Sequence, residues 1–152
     1  MNDSERISTG HVKILFDLER VDDYPPFEVE SVWAVKIVDE MFRIDNIPFY
    51  VRGLALGDVV RAKPTGDGAF QFDSIAKSSG HSTLRVAFFE AEIREGFCRE
   101  IEALGCQWEG AYEPSLIAID VPPSSDLSAV LKILVDGCEK ELFDYEEGVI
   151  RH

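Results

Sequence analysis

The sequence predicts an α+β protein in which a small curled β-sheet or barrel at the N-terminus precedes a ferredoxin-like β-α-β-β-α-β half. Three observations carry this prediction. Apolar residues alternate with polar ones in short runs before residue 79, and no stretch there has helical spacing. Two stretches after residue 79 have helical spacing. Turn-forming residues separate all of these runs.

The first half is predicted to contain strands only. Residues 1–10 are expected to form a flexible leader, and residues 11–78 an all-β subdomain. The turn cluster Pro64–Gly68 separates the last two strands of this half, and five short strands without a helix are typical of a small barrel. The first strand is predicted to have Val12, Ile14, Phe16 and Leu18 on its apolar face. The second has Val29, Ser31, Trp33, Val35 and Ile37 on one face, and partial cover is expected for its mixed other face, which comprises Glu28, Glu30, Val32, Ala34 and Lys36.

The second half, residues 79–152, is predicted to be the ferredoxin-like subdomain, packed with the first as one unit. Strands are expected over 84–89, 107–112, 116–121 and 142–147. One helix has a stripe of apolar residues that ends before Gly105, and Ser125 or Asp126 is expected to cap the other. The two apolar stripes comprise Ile93, Phe97, Ile101 and Leu104, and Leu127, Val130, Leu131, Leu134 and Cys138.

Acidity is the strongest feature of the composition. The chain has 15 basic and 29 acidic residues and a net charge of −14. Residues 1–78 carry 9 basic and 14 acidic residues, a net −5, and residues 79–152 carry 6 and 15, a net −9. Such a field repels nucleic acid and anionic membranes and attracts a basic protein. We therefore expect a basic protein partner, no nucleic acid and no membrane; the oligomeric state stays open.

Metals, cofactors and disulfides are not expected. Cys98, Cys106 and Cys138 are too few and too scattered for a disulfide framework. The sequence has no C-x-x-C pair and only three histidines, so the spacing of a zinc site is absent. No phosphate-binding glycine motif occurs. The polar start of the chain does not resemble a secretory signal, and no apolar run reaches the ~20 residues that span a bilayer. We expect a cytoplasmic protein with three structural thiols.

His81 is the one candidate for catalysis. Ser79, Ser82 and Thr83 surround it in the sequence, so a nucleophile–base pair is conceivable. Neighbouring residues of a strand point to opposite faces, however, and no G-x-S-x-G elbow is present. A hydrogen-bonding role at the junction of the two halves is the favoured interpretation.

Aromatic and acidic residues of the second half are the predicted partner-binding set. Trp108 and Tyr112 fall on one face of their predicted strand, and core packing is the favoured interpretation of this pair. The functional alternative is an aromatic binding patch rimmed by Glu109 and Glu113. The predicted partner-binding residues are Glu95, Glu102, Trp108, Glu109, Tyr112, Glu113, Glu139, Asp144, Glu146 and Glu147.

Six runs of sequence resemble one family across nearly the whole chain. They are GHVKILFDLE (10–19), YPPFEVESVWAV (24–35), FRIDNIPFYVRGLALGDVV (42–60), SGHSTLRV (79–86), PSLIAIDVP (114–122) and DYEEG (144–148). The family is an uncharacterised, stand-alone bacterial one of about this length, catalogued as a domain of unknown function. The resemblance implies a complete small bacterial protein and carries no activity, cofactor or catalytic residue.

Three functions remain as hypotheses. The first is a non-catalytic acidic protein-binding module, most concretely an immunity or antitoxin protein that neutralises a basic toxin. The alternative is a small-molecule-sensing ferredoxin-like domain, by analogy with folds that bind metabolites between sheets. The third is a weak hydrolase-type enzyme centred on His81.

Overall fold

The structure, a computed structural model, describes residues 3–152. It contains two sheets and three helices. The first part comprises α1 (Asp3–Ser8), β1 (His11–Asp17), β2 (Val29–Val38), β3 (Met41–Ile44), β4 (Val59–Pro64) and β5 (Phe70–Lys77). The second comprises β6 (Ser82–Phe88), α2 (Glu92–Ala103), β7 (Gln107–Gly110), β8 (Leu116–Val121), α3 (Leu127–Glu139) and β9 (Phe143–Val149).

Strands β1 to β5 form a closed barrel. Four antiparallel pairings join consecutive strands, and a short parallel pairing of β1 with β5 closes the ring. This closed ring confirms the predicted small barrel. Closure of the ring removes the free strand edges that an open sheet would have. Its interior is apolar and includes Ile14, Phe16, Val32, Ala34, Phe42, Ile44, Val60 and Ala62.

The buried face of β2 differs from the predicted one. Glu30, Val32 and Ala34 face inward, whereas Val29 and Ile37 are 46% and 44% exposed. The prediction gave this inner face partial cover only, because it mixes charged and apolar side chains. Val32 and Ala34 belong to the barrel core, and the Glu30 carboxylate accepts backbone N–H groups of residues 49–51. Trp33, on the other face, is also buried.

Strands β6 to β9 form a four-stranded antiparallel sheet in the order β7-β8-β6-β9. Helices α2 and α3 pack on one face, where the core includes Leu84, Val86, Phe97, Ile101, Ile117, Ile119 and Leu134. Gly105 follows α2 in the left-handed region at φ 87°, and the Asp126 side chain caps α3 through the Ala129 N–H. The overall α+β class is thus confirmed.

Two predicted boundaries need correction. The segment 1–10, expected to be a flexible leader, contains helix α1 from Asp3; residues 1 and 2 lie outside the described residues. Strand β7 ends at Gly110 rather than at 112, because the chain turns there and the Ala111 N–H donates to the Leu116 carbonyl. The division into subdomains 11–78 and 79–152 stays a prediction.

Within residues 3–152, no helix has the length and apolarity needed to cross a membrane.

Candidate functional site

The loop between β3 and β4, residues 45–58, lies against the face of the second sheet that the helices leave free. The Thr83 hydroxyl donates to the Leu54 carbonyl over 3.1 Å, and Arg85 donates to the Val51 carbonyl. On the other side, Glu109 accepts the Ile47 N–H. The barrel and the sheet therefore meet through polar contacts made by this loop.

Glu30 determines the path of that loop. Its carboxylate accepts the N–H groups of Phe49, Tyr50 and Val51 at 2.7, 2.9 and 2.8 Å. Three charge-assisted hydrogen bonds to consecutive backbone groups fix the loop firmly. Tyr50 is held where the barrel meets the sheet.

A cleft of about 530 Å³ opens at this junction. Its walls come from the end of β1 with the following loop, from the loop around Tyr50, and from β9. The cleft is lined by Phe16, Asp17, Leu18, Glu19, Val21, Tyr24, Pro25, Tyr50, Val51, Arg52, Phe72 and Glu146. Only Glu146 of this lining belonged to the predicted site.

Three aromatic rings stand together at the cleft. The Tyr24 and Tyr50 rings are 6.3 Å apart between centroids and meet edge to face, and Phe27 meets Tyr50 in the same way at 5.8 Å. Tyr24 is 48% exposed and Phe27 57%. Aromatic rings that remain this accessible are common in recognition surfaces.

A buried arginine holds Glu146 of the cleft lining in place. The Arg85 guanidinium is 1% exposed and donates through Nη1 to Glu146 Oε1 over 3.2 Å. Burial lowers the pKa of Arg85, and Glu146 and Glu30 oppose that shift. Gly148 makes room for the arginine, since a Cβ there would lie 3.1 Å from its Cζ.

Two further groups reach Glu146 from the cleft side. The Tyr24 hydroxyl donates to Oε1 over 3.3 Å, and the Arg52 guanidinium lies 3.7 Å from Oε2. Burial, followed by Glu146, raises the pKa of Tyr24. Burial, followed by Glu113 and Glu30, raises the pKa of Tyr50. In both cases nearby carboxylates add to the effect of burial on the pKa, and Arg85 opposes it.

His81 does not pair with the hydroxyls that follow it. Its Nδ1–H donates to the Asp120 carboxylate at 2.8 and 2.9 Å, and burial raises the pKa of Asp120 in spite of this bond. Ser82 is fully buried, with its Oγ 2.7 Å from Nδ1 of His152. His81 is not among the residues that line the cleft. A hydrolase centred on His81 stays a hypothesis.

The predicted aromatic patch is not formed as one surface. Trp108 packs beside α2, where its Nε1–H donates to Glu102 over 2.7 Å and the Arg94 guanidinium lies 5.1 Å from its ring centroid. Glu109 points to the barrel side, where it also approaches Arg6. Tyr112 is fully exposed, beyond the end of the strand.

The remaining predicted acidic residues differ in whether another side chain of the protein pairs with them. Glu95 pairs with Arg99 on α2, and Glu113 accepts the Ser115 hydroxyl over 2.9 Å. Glu139, Asp144 and Glu147 are exposed, and no basic side chain in the described part of the chain pairs with them.

The three cysteines are free thiols, and Cys98 and Cys106 are buried. Burial and then Asp120 raise the pKa of Cys106 to about 11. Within residues 3–152, no group of three or more metal-ligating side chains comes together.

Comparisons with known proteins identify a family and a fold. A family described as "Domain of unknown function (DUF4265)" matches residues 30–145. A hypothetical protein from Neisseria gonorrhoeae, known from its crystal structure, has 20% sequence identity and a TM-score of 0.75 over 94% of this chain and 96% of that one. The likeness to that structure concerns the fold alone. No curated protein matches the chain.

Proposed function

Because the chain belongs to the DUF4265 family, a domain of unknown function, we propose its function from its own surface. The protein is a non-catalytic, acidic protein-binding module. It binds a basic protein and neutralises it, as an immunity or antitoxin protein neutralises a toxin. The proposed site of action is the cytoplasm.

One observation carries the proposal, namely the acidic segment 139–147. It contains Glu139, Glu141, Asp144, Glu146 and Glu147 within nine residues, with Lys140 as its one basic residue. Lys140 pairs with Asp136, outside the segment. Only Glu146 of its acids takes part in an ion pair among residues 3–152. The segment therefore presents carboxylates that a partner's cations can pair with.

Electrostatic attraction favours such a partner. Unpaired surface carboxylates on a chain of net charge −14 speed the approach of a basic protein and help to orient it. Exposed charge pairs contribute little to affinity individually. We therefore expect the segment to govern the association rate and its salt dependence.

The fold class of the second half is part of this proposal. The strand order β7-β8-β6-β9, antiparallel throughout, with one helix in each of the two crossovers, supports the ferredoxin-like assignment. Strand β9 is an edge of the sheet. A partner therefore has access to Asp144 and Glu147 from the side.

A small-molecule-sensing domain is the second candidate, and the cleft favours it. A volume of about 530 Å³ falls within the range of small-molecule sites. A thermal-shift screen with neutral metabolites, amino acids and nucleotides separates the two functions, because a ligand that binds the folded state raises the melting temperature. Stabilisation by an uncharged metabolite favours the sensor.

Co-purification at low salt tests the main proposal. Tagged protein is incubated with lysate of its native host, washed, and then eluted with a salt gradient. We expect a basic protein to be retained and then released as salt screens the interaction. Recovery of no basic protein contradicts the proposal.

A further inference from the structure

We propose that the cleft lined by Tyr24, Tyr50 and Glu146 receives a guanidinium or ammonium side chain of a protein partner. This inference rests on the proposed function for the source of the cation, a basic protein. It assigns the partner's cation to a specific pocket, in addition to the contacts proposed for the acidic segment 139–147. The site recognises one arginine or lysine side chain rather than overall positive charge.

The aromatic rings suit a cation with an apolar stem. Tyr24 and Tyr50 stand edge to face, and both side chains line the cleft. The faces of aromatic rings attract guanidinium and ammonium groups within about 6 Å of the centroid. The methylene groups of an arginine or lysine fit against the same rings.

Glu146 supplies a carboxylate that is already oriented. Arg85 holds Oε1 from below, and the Tyr24 hydroxyl reaches the same oxygen from the side. The side chain of Glu146 remains 28% exposed. Within residues 3–152, the hydrogen bonds of this carboxylate go to Oε1, and Oε2 has the Arg52 guanidinium at 3.7 Å, so Oε2 can accept a hydrogen bond from a cation that enters the cleft. A carboxylate that needs no reorganisation binds at a lower entropic cost.

Arg52 marks the position that such a cation would take. Its guanidinium lies 3.7 Å from Glu146 Oε2, yet its side chain is 72% exposed. A contact this long and this exposed is weak. An incoming guanidinium can displace it, so Arg52 competes with the partner for the carboxylate.

The rim of the cleft offers apolar contacts around the cation. A tight hairpin over Val21–Tyr24 is closed by two backbone hydrogen bonds between its end residues, and Asp22 and Asp23 both lie in the left-handed region. That backbone is the one required by a two-residue hairpin turn. It leaves Val21, which lines the cleft, 71% exposed.

The charges facing the cleft have a negative balance. Asp17, Glu19 and Glu146 line it together with Arg52, while Arg85 is buried beneath. Glu113 and Glu30 act on Tyr50 as well. A cation is favoured here over an anion.

Two peptides that differ only in charge test the inference. One is a neutral octapeptide with a single central arginine, and the other has citrulline at that position, which keeps the shape and removes the charge. Arginine amide serves as the free small cation. Binding is followed by NMR titration of the protein's backbone amides.

We expect the arginine peptide to bind at least about fivefold more tightly than the citrulline peptide. The amide shifts should concentrate at residues 17–25 and 50–52. The arginine peptide should also bind more tightly than arginine amide, since the rim contacts the peptide. Tighter binding of arginine amide identifies a small-molecule cation site and overturns the assignment to a protein partner.

Three variants make the test specific. Tyr50→Ala should weaken binding of the arginine peptide about fivefold. Phe89→Ala, which removes an exposed aromatic ring outside the cleft, should leave it unchanged. Arg52→Ala should tighten binding, because it removes the competing guanidinium. Glu146 is not used, because its replacement leaves Arg85 buried and unpaired.

The outcomes separate this inference from the proposed function. Equal binding of both peptides, or weaker binding by the Arg52 variant, overturns the cleft assignment even if a basic protein is captured from lysate. Selective binding of the arginine peptide without capture of any basic protein leaves the cleft assignment in place and overturns the proposed function.

Discussion

Arg85 of β6 and Glu146 of β9 face each other in the register of the second sheet and form the ion pair on which the cleft is built. Arg85 is almost fully buried, and it also donates to the Val51 carbonyl of the barrel loop. The Arg85 side chain thus joins strands β6 and β9 to the loop that carries Tyr50. The stability of the junction and the shape of the cleft depend on the same contact.

Removal of the Glu146 carboxylate should destabilise the protein. Glu146→Ala leaves the Arg85 charge buried, and we expect the free energy of unfolding to fall by about 3 kcal/mol. The double variant Arg85→Met, Glu146→Ala removes both charges and should lose less. Urea denaturation measures both values. A double variant less stable than the single one would show that the pair is not the source of the loss.

Two helical glycines should respond in opposite directions to alanine. A Cβ at Gly137 in α3 would lie 2.1 Å from Phe143 Cζ, so Gly137→Ala should cost about 1–3 kcal/mol through overpacking. Gly96 in α2 has nothing within 4 Å of such a Cβ, so Gly96→Ala should add up to about 1 kcal/mol. Thermal and urea unfolding measure both. Equal effects would contradict the packing of α3 on β9.

Stability should depend on Asp58 in acid. Burial alone would raise the pKa of Asp58, but hydrogen bonds from Arg151 and from the Ser79 and Ala55 N–H groups outweigh it and lower the pKa. A carboxyl with a lowered pKa stabilises the protein above its unfolded-state pKa of about 3.9, and this contribution disappears as the pH falls through the folded-state pKa.

Asp58→Asn tests that sign. At pH 7 we expect the variant to lose about 2 kcal/mol, the scale of hydrogen bonds to a buried charge. The difference from wild type should shrink as the pH falls below about 4. Denaturation curves between pH 2 and 7 measure it, over a range set by that pKa. A difference that stays constant with pH would show that Asp58 does not carry this linkage.

Much of the fold could be predicted because it follows from local patterns. The alternation of apolar and polar residues predicted the barrel strands, and apolar residues at helical spacing predicted α2 and α3. Gly105 and Asp126 have the roles at helix ends that their residue types favour. The inner face of β2 was predicted to be only partly covered. Its Glu30 is buried because it accepts hydrogen bonds from residues 49–51, and the sequence of β2 alone does not indicate those partners.

Most of the candidate site could not be predicted from the sequence, for the same reason. Tyr24, Tyr50 and Glu146 come from three distant parts of the chain, and only the docking of barrel and sheet brings them together. One local signal existed: Arg85 is a charged residue inside the otherwise apolar run 84–89. A buried arginine requires a partner. Pairing it with Glu146 needed the strand register, which the sequence does not reveal.

The measurement that tests the central claim most directly compares two triple variants of equal charge. One neutralises the acidic segment, with Glu139→Gln, Asp144→Asn and Glu147→Gln. The control neutralises three exposed acids of the barrel, with Asp39→Asn, Glu40→Gln and Asp73→Asn. Retention of the captured basic protein at low salt is measured for both and for wild type.

We expect the segment variant to lose most of the basic protein and the barrel control to retain it, because a specific acidic surface, and not net charge, pairs with the partner. Equal retention by the two variants, or equal loss, would contradict the claim that the acidic segment 139–147 binds a basic protein.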